Sequence, residues 1–325
     1  MSVFVIRRIL QSLLVVLVMS LVVFIGVNIV GDPVYILISD DMTQQEIERF
    51  IVKLGLDRPL YEQYLHFLAS AARGDLGNSF VHAEPALKLI LQKMPATIEL
   101  ALAAMLIAVL FGIPLGVYAG LRPEAPASKA IMAGSILGFS LPTFWVGLML
   151  IMVFAVMLGW LPSTGRGDTV PLLGVEVSFL TWDGLRHLLL PAFNLALFKL
   201  SLVTRLARAG TREAALQDYV KFARAKGLAP SRVVLVHILK NIMIPVVTVL
   251  GLELGGLIAF SVVTETVFAW PGMGKLLIDS IQRLDRPVVV AYLIITVLMF
   301  VLINLLVDLL YSVLDPRVRL RDAKA

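Results

Sequence analysis

The chain has no cysteine. That excludes disulfides, thiolate catalysis and cysteine-ligated zinc or iron–sulfur sites. It has little charge. Asp, Glu, Lys and Arg make up 16% of its 325 residues, where a soluble domain carries about 25%. It has four histidines, His66, His82, His187 and His237, scattered without ligand spacing, and no H-E-x-x-H. Neither G-x-S-x-G nor a phosphate-cradling G-x-x-x-x-G-K-[ST] occurs. The nearest string to the latter, PGMGKLL (271–277), has Ala269 in place of the first glycine and Leu276 in place of Ser/Thr. No catalytic, metal or nucleotide site of its own is legible, so any ATP-driven work would need an ATPase on another chain.

Apolar residues, in contrast, are abundant. They form 59% of the chain, and the mean hydropathy is +0.90. This excludes a disordered chain and an ordinary soluble enzyme, and it points to a polytopic membrane protein. Residues 9–30 form a first apolar run behind Arg7 and Arg8. At ~1.5 Å per residue it reaches about 33 Å, enough to cross a bilayer. It is too long for a signal-peptide core, and no A-x-A site follows. Five further spans are expected over 97–120, 130–158 (interrupted by Pro142), 188–207, 242–268 and 288–313. The expected fold is an all-α integral membrane protein with six transmembrane helices.

Residues 31–96 are polar, with turn signals at 31–33 (GDP) and 74–77 (GDLG), and read as a small lobe between the first two spans. Two short helices are expected in it. One is capped by Thr43 with Glu46 three residues on, and one covers 59–72. The organisation is then 1–30 as cytoplasmic end and first span, 31–96 as lobe, 97–313 as membrane core, and 314–325 as tail.

The formal charge is +5, which by itself would allow nucleic-acid binding. The distribution argues otherwise. Arg205, Arg208, Arg212, Lys221, Arg224, Lys226, Arg232 and Lys240 cluster after the fourth span. Arg122 and Lys129 follow the second, and Arg317, Arg319, Arg321 and Lys324 lie in the tail. The loops after spans three and five carry only Arg166, Arg186, Lys275, Arg283 and Arg286. By the positive-inside rule both termini and the segment after span four face the cytoplasm, with the bilayer as partner and no role for nucleic acid.

That basic segment reads TREAALQDYVKFARAKGLAPSRVVLVHILKNIMIP (211–245). A short helix over 218–226 is expected to stop at Gly227, whose missing Cβ suits a left-handed terminus. A second helix starts near Pro230 and Ser231. A basic helix–turn–helix carrying Tyr219, Phe222 and Leu228 suits docking to a partner; a solvated positive-inside loop is the alternative. Within the spans, Glu253 lies among Gly251, Gly255 and Gly256. It is read either as a pathway group for a substrate ammonium or as an interhelical carboxylate. Asn194 either lines the pathway or bonds a neighbouring helix. Lys199, about 9 Å by helix rise from Arg205, is expected to snorkel to the rim. Gly112, Gly116, Gly251 and Gly255 have the small-x-x-x-small spacing of helix packing.

The segment DYVKFARAKGL…R…H…KN…IP resembles the cytoplasmic "EAA" loop of bacterial ABC-importer permeases, in the form of the dipeptide/oligopeptide/nickel branch. Asp218, Tyr219, Ala223, Ala225, Lys226, Gly227, Arg232, His237, Asn241 and Pro245 stand at its motif positions. LGLDRPLYEQYLHFL (54–68), GDLGNSF (74–80), TETVFAWPGMGKLLIDSIQRLDRPVV (264–289) and NLLVDLLYSVLDPRVRL (304–320) are similar to other segments of that branch. Of Glu-Ala-Ala only Ala223 is kept, as in the peptide branch. The resemblance implies a type I importer permease in the bacterial inner membrane, its small lobe being periplasmic. Its coupling loop would lie at 208–241, with Asp218, Tyr219, Ala223, Ala225, Lys226, Gly227 and Leu228 seated against the ATP-binding subunit. It implies a second homologous permease, one or two ABC ATP-binding subunits that hold ATP and Mg, and a periplasmic solute-binding protein. No cofactor is implied on this chain. The implied cargo is a dipeptide or oligopeptide, with nickel chelate, glutathione, haem or another small solute as alternatives. A secondary transporter is the different-class alternative; it would show internal inverted repeats together with paired ionisable residues near the midplane, and the sequence shows neither clearly.

Overall fold

The computed structural model describes residues 2–29, 45 and 57–314. The helix expected after Thr43 and the basic tail lie outside the described residues. Those described are mostly helical. Contacts divide the chain into two units, Met1–Met94 with Leu276–Leu302 and Pro95–Lys275 with Ile303–Ala325.

In the first unit α1, Ser2–Ile29, packs on α2, Leu60–Ala72. Tyr64 lies against Ser20 and Phe24: its hydroxyl is 2.9 Å from that of Ser20, and the two rings are 5.4 Å apart. α3 begins at Ala86 and runs to Leu121, so the end of the expected lobe is already helix. The turn before it carries Gly74 and Gly77 at φ +81° and +84°. Asp285 is buried in this unit. It accepts from the Ser79 hydroxyl and, at 3.0 Å, from the Phe80 N–H.

In the second unit α4, Pro126–Ser140, and α5, Thr143–Leu150, continuing as a π-helix over Ile151–Met157, meet at 108°. The expected third span is therefore sharply broken. Proline forces the residue before it out of the helical region, and Leu141 is extended at φ −80°, ψ 136°. A hairpin follows, β1 (Val170–Leu172) antiparallel to β2 (Val175–Val177), with Val170 opposite Val177. Its turn residues Leu173 and Gly174 both have positive φ, as a two-residue hairpin turn needs.

α6, Trp182–Ala215, starts at Thr181, whose hydroxyl accepts from the Gly184 N–H at 2.9 Å. The C-terminal half of α3 rides directly on it. A Cβ built on Gly116 would come within 2.6 Å of the Ala207 Cβ and 3.0 Å of the Arg208 nitrogen. The small-x-x-x-small spacing there is a packing device. After α7, Asp218–Ala225, a helical run comprises Pro230–Arg232, the π-helical Val233–Ile238, and α8, Leu239–Val267. α9, Met273–Gln282, and α10, Arg286–Leu314, complete the order. Among the described residues five helices are long and apolar enough to cross a membrane, and a sixth span results if α4 and α5 count as one.

Candidate functional site: the elbow and the intramembrane ion pair

The elbow is built on α7. Helical spacing puts Val220 and Ala223 on one face. Both are buried against Ala207 and Ala214 of α6 and against Val233, Ile238 and Ile242 of the following run, with Leu228 packed beside them. α7 ends at Gly227, φ +72°. The Leu228 N–H reaches the Ala223 carbonyl at 3.3 Å, and the Gly227 N–H reaches that of Arg224 at 2.9 Å. These are the two bonds of a Schellman stop, and Leu228 supplies the apolar contact that accompanies it.

The opposite face of α7 is open. Phe222 is 62% exposed, Tyr219 is also exposed, and the Lys226 ammonium sits 4.5 Å from the Phe222 ring centroid. Asp218 accepts from Lys221 at 2.9 Å, and that neighbouring ammonium lowers its carboxyl below the usual carboxylate range. Ala225 is exposed too. A firmly seated short helix thus presents two aromatic rings and a cation to the outside.

The second constellation ties α6 to α8. Lys199 and Glu253 form an ion pair. Lys199 is therefore not a lone snorkelling cation, and Glu253 has the partner that the sequence did not reveal. Helix rise measures depth along one helix but says nothing of what faces it from another. Lys199 also lies 5.0 Å from the Phe198 ring centroid. Phe198 stacks on Phe139 of α4 at 4.6 Å, and the Arg205 guanidinium lies 4.7 Å from the Phe139 centroid. Asn194 is fully buried and donates to the Thr264 hydroxyl at 3.1 Å. Its own Oδ1 has no partner among the described residues. Asn194 thus bonds the neighbouring helix, and it is Glu253, 30% exposed at its side chain, that is accessible.

Two sealed carboxylates were not singled out from the sequence. Glu265 is fully buried and accepts from Thr97 at 2.7 Å, Ser261 at 2.8 Å and the Lys275 N–H at 2.9 Å. Glycine at 274 keeps that pocket open, since a Cβ there would stand 2.9 Å from the carboxylate. So the string that almost matches a phosphate loop here wraps a carboxylate. Glu99 pairs with Arg166 at 3.0 Å through Nε. It also accepts, each at 2.8 Å, from the hydroxyl and N–H of Ser178 and from the Phe179 N–H. An acidic residue inside an apolar run was the available signal for both. Among the described residues no group of acidic or histidine side chains could hold a metal.

Residues 112–320 match the model of the binding-protein-dependent transport system inner membrane component, and residues 1–101 match the N-terminal model of the same systems. The di/tripeptide transport system permease protein DppB of Pseudomonas aeruginosa (strain UCBPP-PA14) is 42% identical over 302 residues, covering 89% of this chain and 90% of that protein. The oligopeptide permease AppB of Bacillus subtilis (strain 168) is 38% identical, covering 98% and 99%. The glutathione permease GsiC of Escherichia coli (strain K12) is 37% identical, covering 97% and 98%. A solved chain of the inward-facing MetNI methionine ABC transporter shares the fold. It has TM-score 0.52 and 16% identity over 70% of this chain and 96% of that one.

Proposed function

This chain belongs to the family of binding-protein-dependent transport system inner membrane components, and on that premise we propose that it carries short peptides. It is a multi-pass inner-membrane permease of the peptide/glutathione ABC-importer family. It is non-catalytic, with the ATPase on partner subunits. The proposal adds dipeptides or oligopeptides as cargo, a second homologous permease as direct partner, and both termini in the cytoplasm. The division into lobe 31–96, core 97–313, coupling loop 208–241 and tail 314–325 is part of the same reading.

The observation that carries the mechanism is the two-faced elbow. Val220 and Ala223 lock α7 to α6 and α8, while Tyr219, Phe222 and Lys226 point away from both. Exposed aromatic rings are what a protein interface favours at its centre, and the Lys226 charge suits its polar rim. On this reading Asp218, Tyr219, Ala223, Ala225, Lys226, Gly227 and Leu228 form the coupling element. An ATPase that closes on nucleotide pulls α7, and the buried side of α7 passes that pull to α6 and α8. Glu253 is the pathway residue. Asn194 would meet cargo only where the contact between α6 and α8 opens.

The absence of native cysteine makes the test clean. F222C in the assembled importer is expected to cross-link to the ATP-binding subunit. L173C, at the hairpin tip and 98% exposed, is expected not to. The reverse pattern would place the elbow on the wrong side and sink the mechanism. Uptake of labelled dialanine, outcompeted by other dipeptides and not by glutathione, is expected for the cargo. The opposite ranking would reassign it.

A further inference from the structure

Glu253 differs from every sealed carboxylate described above. Glu265, Glu99 and Asp285 each accept from several donors and are closed off from solvent. Among the described residues Glu253 accepts from Lys199 alone, through Oε2, and its other oxygen receives no bond. Among the described residues Lys199 likewise has one hydrogen-bond acceptor for its three protons, plus the face of the Phe198 ring. Gly256 leaves the space beside the pair open. A Cβ added there would lie 3.8 Å from the Lys199 ammonium and 3.9 Å from the Glu253 carboxylate, so a side chain longer than a methyl would lean over both.

We propose that Lys199 and Glu253 are a docking pair for the two charged ends of a zwitterionic peptide inside the membrane. The proposal rests on the peptide reading above and deepens it. With no cargo present, the pair satisfies itself, which avoids two lone charges in a low-dielectric site. A peptide with a free amine and a free carboxylate replaces one internal ion pair by two. Its ammonium goes to Glu253 and its carboxylate to Lys199, so no charge is left bare during the exchange. The unused Oε1 lone pairs and the unused ammonium protons are where the first contacts form. Gly256 is the floor on which the main chain passes. Phe198, stacked on Phe139, holds that cation in place through its ring face.

The test uses the complete importer with its binding protein in proteoliposomes, supplied with dialanine, N-acetyl-dialanine and dialanine amide. Each variant is compared with the wild type under the same binding protein, so selectivity upstream of the membrane cancels. E253Q is expected to lower the ratio of dialanine to N-acetyl-dialanine uptake about tenfold, the scale of one charge-assisted hydrogen bond. K199Q is expected to lower the ratio of dialanine to dialanine amide similarly. G256V is expected to slow all zwitterionic cargo by covering the pair. Unchanged ratios in both single variants would overturn the proposal. So would equal losses for all three peptides with a lower melting temperature of the complex, which would make the pair an interhelical clasp. A wild-type importer that moves no dialanine overturns the peptide reading as well; wild-type transport with insensitive variants overturns this inference alone.

Discussion

Four carboxylates of the second unit form a graded series. Glu265 is buried and accepts from three donors. Glu99 is nearly buried and shares an arginine and three short bonds. Glu253 is half-buried with one lysine, and Asp218 is 97% exposed at its side chain with one lysine. The chemical group is constant, so the differences isolate environment. Where a carboxylate is saturated with donors and sealed, it fixes chain segments to one another and is closed to cargo. Where it keeps one partner and an open side, that partner can be exchanged. On the proposal above, the boundary between holding and handling falls between Glu99 and Glu253.

The largest effect is expected at the sealed end. E265A strands the donors of Thr97, Ser261 and Lys275 and leaves a cavity, a loss of roughly 3–5 kcal/mol. Thermal unfolding of the detergent-solubilised complex should show it as a large drop. Stability near wild type would mean that the pocket relaxes and the series is not one of saturation. Next, R166M removes one of four partners of Glu99. About 2–3 kcal/mol is expected by the same measurement, because the Ser178 and Phe179 donors remain. E253Q keeps an oxygen that accepts from Lys199 but removes its counter-charge, so about 1–2 kcal/mol is expected, below the loss for R166M. A loss as large as that of E265A would erase the distinction. At the exposed end, D218N should leave melting unmoved. The Asp218 carboxyl is lowered by Lys221, so the link is present above the ordinary carboxylate range and disappears as pH falls through the lowered value. Acid titration of Asp218 followed by NMR in wild type and K221M checks the sign: the variant's midpoint should be higher.

Hydropathy made the spans legible, because about twenty apolar residues in a row have few other uses. Gly227 made the end of α7 legible, and its φ of +72° is the conformation that glycine tolerates. Pro142 announced an interruption but not its size. An extended residue before proline can redirect the chain by many angles, and packing selects the 108° seen. The sealed carboxylates were hidden for a different reason. Glu265 meets Thr97, and Glu99 meets Arg166 and Ser178, across long separations in sequence. Helices that are apolar on all sides carry no polar stripe to show which face meets which neighbour. The partner of Lys199 was lost in the same way: its depth was countable, but its azimuth was not.

The glycine contacts between α3 and α6 limit how this machine can move. At Gly116 one helix lies almost on the bare backbone of the other, with no layer of flexible side chains between to act as a bearing. Sliding there would drive main chain into main chain, so α6 and the C-terminal half of α3 are expected to travel as a single strut through the transport cycle. Spin labels on the outward faces of α3 and α6 should hold a constant separation whether nucleotide is bound or not, and the shape change must be found where the packing allows slip.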